Sequence, residues 1–255
     1  MQNNQKLLIY VVAFNASKHI EVLLENMPNQ PNSQILISDD ASSDNTSRLV
    51  ENYQKNNPTK NIKLITQAKN LGYGGNQKFG FEYAIKNNFY ALVLIHGDGQ
   101  YSPKLIPQMV EPIYQKNADL VLGSRMMIKK NALKGGMPLY KFVGNIILTK
   151  AQNVILGSKL SEFHTGLRAY KINSLAKLPF VHNSNNFSFD TDILIQFIDN
   201  KMHIAQIAIP TRYGDEICNV VGMHYAFEIM LSTALSRLQK IKIFYSKKFD
   251  YTKIK

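Results

Sequence analysis

Cysteine is almost missing from this 255-residue chain: Cys218 stands alone. No internal disulfide can form, and a reducing compartment, the cytoplasm, is the expected home. No apolar run approaches the roughly 20 residues that cross a bilayer. Met1 to Lys6 leads straight into a strand-like run, so no signal peptide is expected. Acids are scarce as well: 18 Asp and Glu against 30 Lys and Arg leave a net charge of +12. That excess points to a polyanionic partner, whether nucleic acid, anionic lipid or a phosphorylated substrate. It is concentrated at one end, because Arg237 to Lys255 carries seven bases against Asp250 alone. A basic helix and a patterned aromatic face are both lacking, which argues against nucleic acid. A P-loop is absent, and the glycine turn at Gly72-Tyr73-Gly74 has Gln77 where a dinucleotide fingerprint needs glycine or alanine. Neither ATP nor a nicotinamide cofactor is expected.

What is present is organised around Phe89 to Pro103, FYALVLIHGDGQYSP. Ala91 to Ile95 has the length and composition of a buried parallel strand. It breaks into His96-Gly97-Asp98-Gly99-Gln100, with three metal-capable side chains at alternating positions. In an extended segment alternate residues point the same way, so His96, Asp98 and Gln100 are expected to converge on one ion. The end of a central strand in an open α/β sheet is where ligands tend to bind.

Taken in order, Leu7 to Phe14 reads as a first buried strand, and Ser17 as the cap of a helix through Met27. Gln34 to Ser38, Ile62 to Ile65 and Asp119 to Ser124 read as further strands, with helices between them. Asn70 to Gly75 is a turn into a helix through Lys86, its glycines allowing close packing against a ligand or a strand. This alternation predicts a doubly wound, mostly parallel α/β sheet with flanking helices. After Arg125 the pattern changes. Residues 126–137 read as a loop, and Pro138 to Ile155 as an amphipathic helix. Thr165 to Tyr170 reads as an edge strand, Ser188 to Asn200 as a helix, His203 to Ile209 as a strand and Tyr225 to Ile241 as a final amphipathic helix. One catalytic-sized domain, 1–215, with an extension, 216–255, is the expected division.

Each candidate has a plain alternative. Asp39 and Asp40 follow a strand and can cap the next helix. A single His96 can be a hydrogen-bonded structural residue. Arg125 and Arg168 can pair with surface carboxylates, worth about 0–1 kcal/mol. Asp98, between two glycines, is poorly placed for packing and well placed for coordination.

The order of the blocks VVAFNASKHI, SDDASSDNT, KNLGYGGNQKFGFEYA, LIHGDGQYSP, DLVLGSR, SEFHTGLRAY and FSFDTDILIQF…IAIPTRY resembles the family 2 glycosyltransferases of the GT-A fold. Within them it resembles the polyprenol-phosphate mannosyl- and glucosyltransferases, over about residues 7–215. The resemblance implies that Ala13, Phe14, Asn15, Asn70 and Gly72 border the nucleotide. Asp39 would accept hydrogen bonds from the base, His96, Asp98 and Gln100 would hold a divalent ion, and Arg125 and Arg168 would grip phosphate. Asp190 and Asp192 would lie on the acceptor side, where either is the candidate base if the acceptor is a sugar hydroxyl. A lipid phosphate acceptor needs no base.

Two departures from the family pattern stand out. His96 replaces its first metal aspartate, which favours Mn²⁺ over Mg²⁺ and makes metal binding fail when the imidazole protonates. The transmembrane segments of many relatives are absent, and with no tryptophan in the chain the Gln-x-x-Arg-Trp motif of processive synthases cannot be present. The implied partners are a nucleoside-diphosphate sugar and a polyprenyl phosphate or other glycan acceptor. A membrane surface would be reached through helices 138–155 and 225–241 and the basic tail, or those helices would instead cover the core or a homo-oligomer contact. A non-catalytic nucleotide-sugar-binding protein, with His96 marking a lost metal, is the alternative class.

Overall fold

The computed structural model describes residues 5–211 and 222–252. In chain order it contains β1 (Leu7–Ala13), α1 (Ile20–Glu25), β2 (Ser33–Asp39), α2 (Thr46–Asn56), β3 (Ile62–Thr66), α3 (Tyr73–Lys86) and β4 (Ala91–His96). There follow α4 (Ile106–Gln115), β5 (Leu120–Ser124), α5 (Lys129–Lys134), α6 (Leu139–Leu156), β6 (Arg168–Lys171) and α7 (Ile172–Leu175). The last are α8 (Phe189–Asp199), β7 (Ile204–Ala208) and α9 (Gly222–Lys240). The strands form one seven-stranded sheet in the order β3-β2-β1-β4-β6-β5-β7. All neighbours are parallel except at β6, which runs antiparallel to both β4 and β5.

Helices cover both faces, which is why β1 and β4 are apolar at consecutive positions rather than alternating with polar ones. Leu7, Ile9, Val11 and Ala13 face one core, with α1, α2 and α4, while Leu8, Tyr10 and Val12 face the other, with α3 and α8. β4 divides the same way, Val93 and Ile95 against Leu92 and Leu94. Tyr10 shows how closely α3 sits on the sheet. Its hydroxyl donates to the Asn76 carbonyl at 2.6 Å, and a Cβ on Gly80 would fall 2.1 Å from its ring.

Several sequence expectations need correction. Ser17 does not cap α1, which begins at Ile20; its backbone N–H donates instead to Asp44 at 3.0 Å. The supposed edge strand is β6 in the interior of the sheet, because its Ala169, with the preceding Leu167, completes the core between β4 and β5. The 126–137 loop contains α5. The extension is partly built into the body. Phe249 is buried in the α3/α8 core, and Lys248 Nζ reaches the buried Asp192 at 2.8 Å. Arg237 and Lys240 both pair with Asp199, so three of the bases expected to face a partner are neutralised internally. Cys218 and the proposed 215/216 boundary lie outside the described residues.

The two amphipathic helices turn their polar sides inward, as the membrane reading expects and unlike the core-covering alternative. In α6 the buried residues include Asn145, Thr149 and Gln152, and in α9 Ser232, Thr233 and Ser236. Gln152 Nε2 donates to Thr233 Oγ1 at 3.2 Å, joining the two helices. Leu139, Val143, Ile147 and Val154 of α6, with Met223, Phe227 and Leu231 of α9, are exposed. No helix among the described residues is long and apolar enough to cross a membrane.

Candidate active site

Parallel β1, β2 and β4 deliver their carboxyl ends to one edge of the sheet. Register sets Ala13 beside Asp39 and Val12 beside His96, so the nucleotide-side and metal-side candidates emerge next to one another. The three loops are then pinned together. Asn15, at a φ of 49°, takes a left-handed conformation that asparagine tolerates, and its Oδ1 accepts the Ser43 N–H at 2.9 Å. Phe14, carried on this pinned loop, is 47% exposed, an apolar platform at the mouth of the site. Ala13 is buried beneath it.

Asp39 was expected to offer a free acceptor to a base. It is buried, and its two oxygens accept from the hydroxyls of Ser42 and Ser47. It therefore braces the turn after β2. Asp40 does similar work on the next loop, accepting the N–H groups of Leu71 at 2.7 Å and Gly72 at 3.1 Å. Burial raises its carboxyl above the ordinary value, partly offset by those two bonds. Asn70 closes the same turn, donating to the Asp40 carbonyl and accepting from Gly72. Gly72 has a φ of 80°, and a Cβ there would lie 2.6 Å from the Asn185 carbonyl oxygen, so the glycine serves both the turn and the close packing.

The expected extended ladder of metal ligands is not formed. β4 ends at His96, and the chain turns through Gly99 at a φ of 74°, with the Gln100 N–H donating to Asp98 Oδ1 at 2.9 Å. Gln100 stays in this turn. What converges is a pair, His96 Nδ1 and Asp98 Oδ2, 3.9 Å apart, with side chains 16% and 38% exposed. Donors about 2.1 Å from a shared cation lie about 3–4 Å apart, so the pair fits one divalent ion. Among the described residues no group of three His, Cys, Asp or Glu could hold a metal. An ion here would have to complete its shell with substrate oxygens and water, the usual arrangement at phosphate sites.

Behind this pair lies a buried wall. The Tyr73 hydroxyl is 3.0 Å from His96 Nε2 and 2.9 Å from Asp190 Oδ2. Burial and the neighbouring Asp190 charge hold its phenol well above the usual pKa, so it remains protonated. Asp190 also accepts from Gln77 at 3.0 Å and lies 3.8 Å from Arg168. The His96 ring is held edge-on between Tyr73 and Tyr101. A Cβ on Gly166 would come within 2.3 Å of it.

The two arginines were expected at phosphate. Arg168 is fully buried and donates to the carbonyls of Phe163, Thr165 and Asp190. It binds the 163–168 strand entry to α8 and cannot reach a ligand from there. Arg125 is 7% exposed, and its guanidinium and backbone N–H are taken by the fully buried Glu162. A buried charge needs this kind of partner. Although burial opposes ionisation, the Arg125 charge and hydrogen bonds hold the Glu162 carboxyl below its ordinary pKa. Asp192 is likewise closed, accepting from the Ser184 N–H, Lys248 and Ser232. Its hydrogen bonds tie it to the C-terminal segment, where the sequence offers it, with Asp190, as a candidate base for a hydroxyl acceptor.

Sequence reasoning missed Tyr73 and Glu162. Tyr73 directly follows the strained Gly72 in a turn read only for its glycines. Glu162 is the one carboxylate between the two arginines Arg125 and Arg168 on the C-terminal side of β5, a signal that buried positive charge has a partner there.

A family model described as glycosyl transferase family 2 matches residues 8–178. A UDP-N-acetylglucosamine–dolichyl-phosphate N-acetylglucosaminyltransferase from Methanococcus voltae is 28% identical over 247 residues, covering 92% of this chain and 98% of that protein. A polyprenol monophosphomannose synthase from Mycolicibacterium smegmatis is 22% identical over 211 residues, covering 80% and 77%. Among solved structures, glucosyl-3-phosphoglycerate synthase from Mycobacterium tuberculosis, in complex with Mn²⁺, UDP and phosphoglyceric acid, aligns with a TM-score of 0.69 at 13% identity. That alignment covers 95% of this chain and 81% of the other.

Proposed function

The chain belongs to glycosyl transferase family 2, and from that premise we propose that it moves one sugar, with inversion, from a nucleoside-diphosphate donor to a polyprenyl phosphate. Its sheet and flanking helices are those of the GT-A fold. The observation that carries the reading is the position of His96 and Asp98. They form a nitrogen and carboxylate pair at the open edge of the sheet, one strand from the Asp39 turn. The similarity to the Methanococcus voltae enzyme, nearly end to end, supports a lipid phosphate as acceptor.

In the reaction an acceptor oxygen forms the new bond to the anomeric carbon as the bond to the nucleoside diphosphate breaks. A divalent cation held by His96 and Asp98 would supply positive charge where the leaving group becomes more negative. An imidazole in place of an oxygen ligand favours Mn²⁺ over Mg²⁺. Phe14 offers the donor base an apolar face, and Asn15, Asn70 and Gly72 hold the loops that frame it. Asp39 supports the base pocket from below by fixing Ser42 and Ser47.

The buried acids favour a phosphate acceptor over a sugar hydroxyl. Asp190 is engaged by Tyr73 and Gln77, and Asp192 by Lys248 and Ser184. Neither is free to take a proton, and an ionised phosphate brings no proton to be taken. The outward apolar residues of α6 and α9, with the exposed Lys242 and Lys247, suit attachment to the surface of an anionic membrane on its cytoplasmic side, where such an acceptor resides.

Incubating the protein with Mn²⁺, a short-chain polyprenyl phosphate and labelled UDP-, GDP- or dTDP-sugars tests the proposal. Label from one donor should move into an acid-labile glycolipid. Label moving only to a free sugar acceptor, or binding without transfer from every donor, would contradict it.

A further inference from the structure

The candidate metal pair contains a histidine, and a neutral imidazole can offer a cation only the nitrogen that carries no proton. Which nitrogen that is depends on the partner of the other one. At His96 the partner of Nε2 is the Tyr73 hydroxyl, 3.0 Å away, and that hydroxyl has one proton to give. Its second neighbour is Asp190 Oδ2 at 2.9 Å, an atom that can only accept. Giving the phenolic proton to His96 would leave two oxygen acceptors facing each other at hydrogen-bond distance in a buried site. Giving it to Asp190 satisfies both contacts, because the hydroxyl oxygen then accepts an N–H from Nε2.

We propose that Tyr73 is a positioning residue that holds His96 as the Nε2–H tautomer and thereby turns a bare Nδ1 toward Asp98 and the cation. Three further features agree. The separation of 3.9 Å between Nδ1 and Asp98 Oδ2 is too long for an N–H···O bond, so no proton is bound up there. Tyr73, Tyr101 and the close approach of Gly166 leave the ring no room to turn over. Asp190 is itself fixed from behind by Gln77 and Arg168. The line Arg168–Asp190–Tyr73–His96 thus orients the ligand, as carboxylates behind metal-binding histidines do, with a tyrosine inserted.

The inference rests on the metal-dependent reading, yet its first test needs neither donor nor acceptor. Long-range ¹H–¹⁵N correlation of histidine-labelled, metal-free protein at pH 8 reports the tautomer of each of the six histidines, His96 being assigned by its loss in His96→Asn. The expected pattern is a protonated Nε2 and a bare Nδ1. Tyr73→Phe should convert this to a mixture and weaken Mn²⁺ binding, measured by electron paramagnetic resonance, about 10–100-fold. Tyr101→Phe, which keeps the ring beside His96 and does not bond to it, should leave the tautomer unchanged. A wild-type Nδ1–H tautomer, or Tyr73→Phe with unaltered tautomer and Mn²⁺ affinity, would overturn the assignment. Failure of sugar transfer alongside the predicted tautomer and Mn²⁺ affinity would count against the acceptor or donor reading and not against Tyr73.

Discussion

The two sides of the β4 end handle charge in opposite ways. On the open side, Asp98 is 38% exposed and pairs only loosely with His96, and Phe14 stands in solvent. On the closed side, Arg125, Glu162, Arg168, Asp190 and Asp192 are all buried and tied into hydrogen bonds or ion pairs. Both sides carry the charged residues that a sequence reader assigns to chemistry. The open side presents the Asp98 carboxylate and the His96 imidazole at the surface, loosely paired, whereas the carboxylates and guanidinium groups of the closed side are buried and committed to one another. Buried ion pairs add little net stability but are costly to break, because the abandoned charge remains in a low-dielectric surrounding.

The contrast can be broken at its strongest point first. Glu162→Ala leaves the Arg125 guanidinium buried without its carboxylate and should cost about 3–5 kcal/mol in urea unfolding. A loss below about 1 kcal/mol would mean that the closed side is not a brace. Asp98→Ala should do the reverse, lowering turnover about 10²–10³-fold with the unfolding midpoint unchanged. Full activity would remove Asp98 from the site.

A smaller effect sharpens the comparison through pH. His164 belongs to the closed side, its Nδ1 bonded to Tyr225 and its Nε2 without a partner. Burial pushes its pKa down to about 4, the Glu162 charge opposing. The unfolded chain therefore binds this proton more readily than the folded one. Its contribution is intact above the unfolded value of about 6.5 and is lost as pH falls toward 4, at up to about 1.4 kcal/mol per unit. His164→Gln should flatten that part of the stability profile, and an unchanged slope would assign it elsewhere. The smallest expected effect concerns the surface. Lys242→Glu and Lys247→Glu should each weaken co-sedimentation with anionic vesicles several-fold, at about 1 kcal/mol per lost basic contact. No change would leave the outward apolar residues of α6 and α9 as a contact between copies, which gel filtration would reveal.

Much of the sheet was legible because both of its faces are covered. LLIYVVA and ALVLI can hardly be anything but buried strands, and β4 ends at His96, where the sequence places the break. β6 was misplaced because periodicity describes a segment and not its neighbours. Nothing local to Arg168-Ala169-Tyr170 says that it will be inserted antiparallel between β4 and β5. The site was legible to the level of the strand ends and no further. His96 and Asp98 do come together, but Gln100 belongs to an expectation of straight strand that Gly99 bends away. Residue type alone suggests Arg125, Arg168 and Asp192 for chemistry, whereas their surroundings are set by Glu162, by the Phe163, Thr165 and Asp190 carbonyls, and by Lys248, which residue type does not reveal. The same limit left two readings open for α6 and α9, a membrane-facing or a core-covering apolar side. Their spacing marks an apolar face without saying that Asn145, Thr149 and Gln152 would be the residues turned inward.

The central claim is that His96 and Asp98 share one cation that faces a departing diphosphate. Anomalous diffraction from a crystal soaked with Mn²⁺ and a nucleoside diphosphate tests it directly. A manganese peak within coordination distance of His96 Nδ1 and Asp98 Oδ2, touching phosphate oxygens, is the predicted result. A peak bound elsewhere, or nucleotide bound with none, would contradict it.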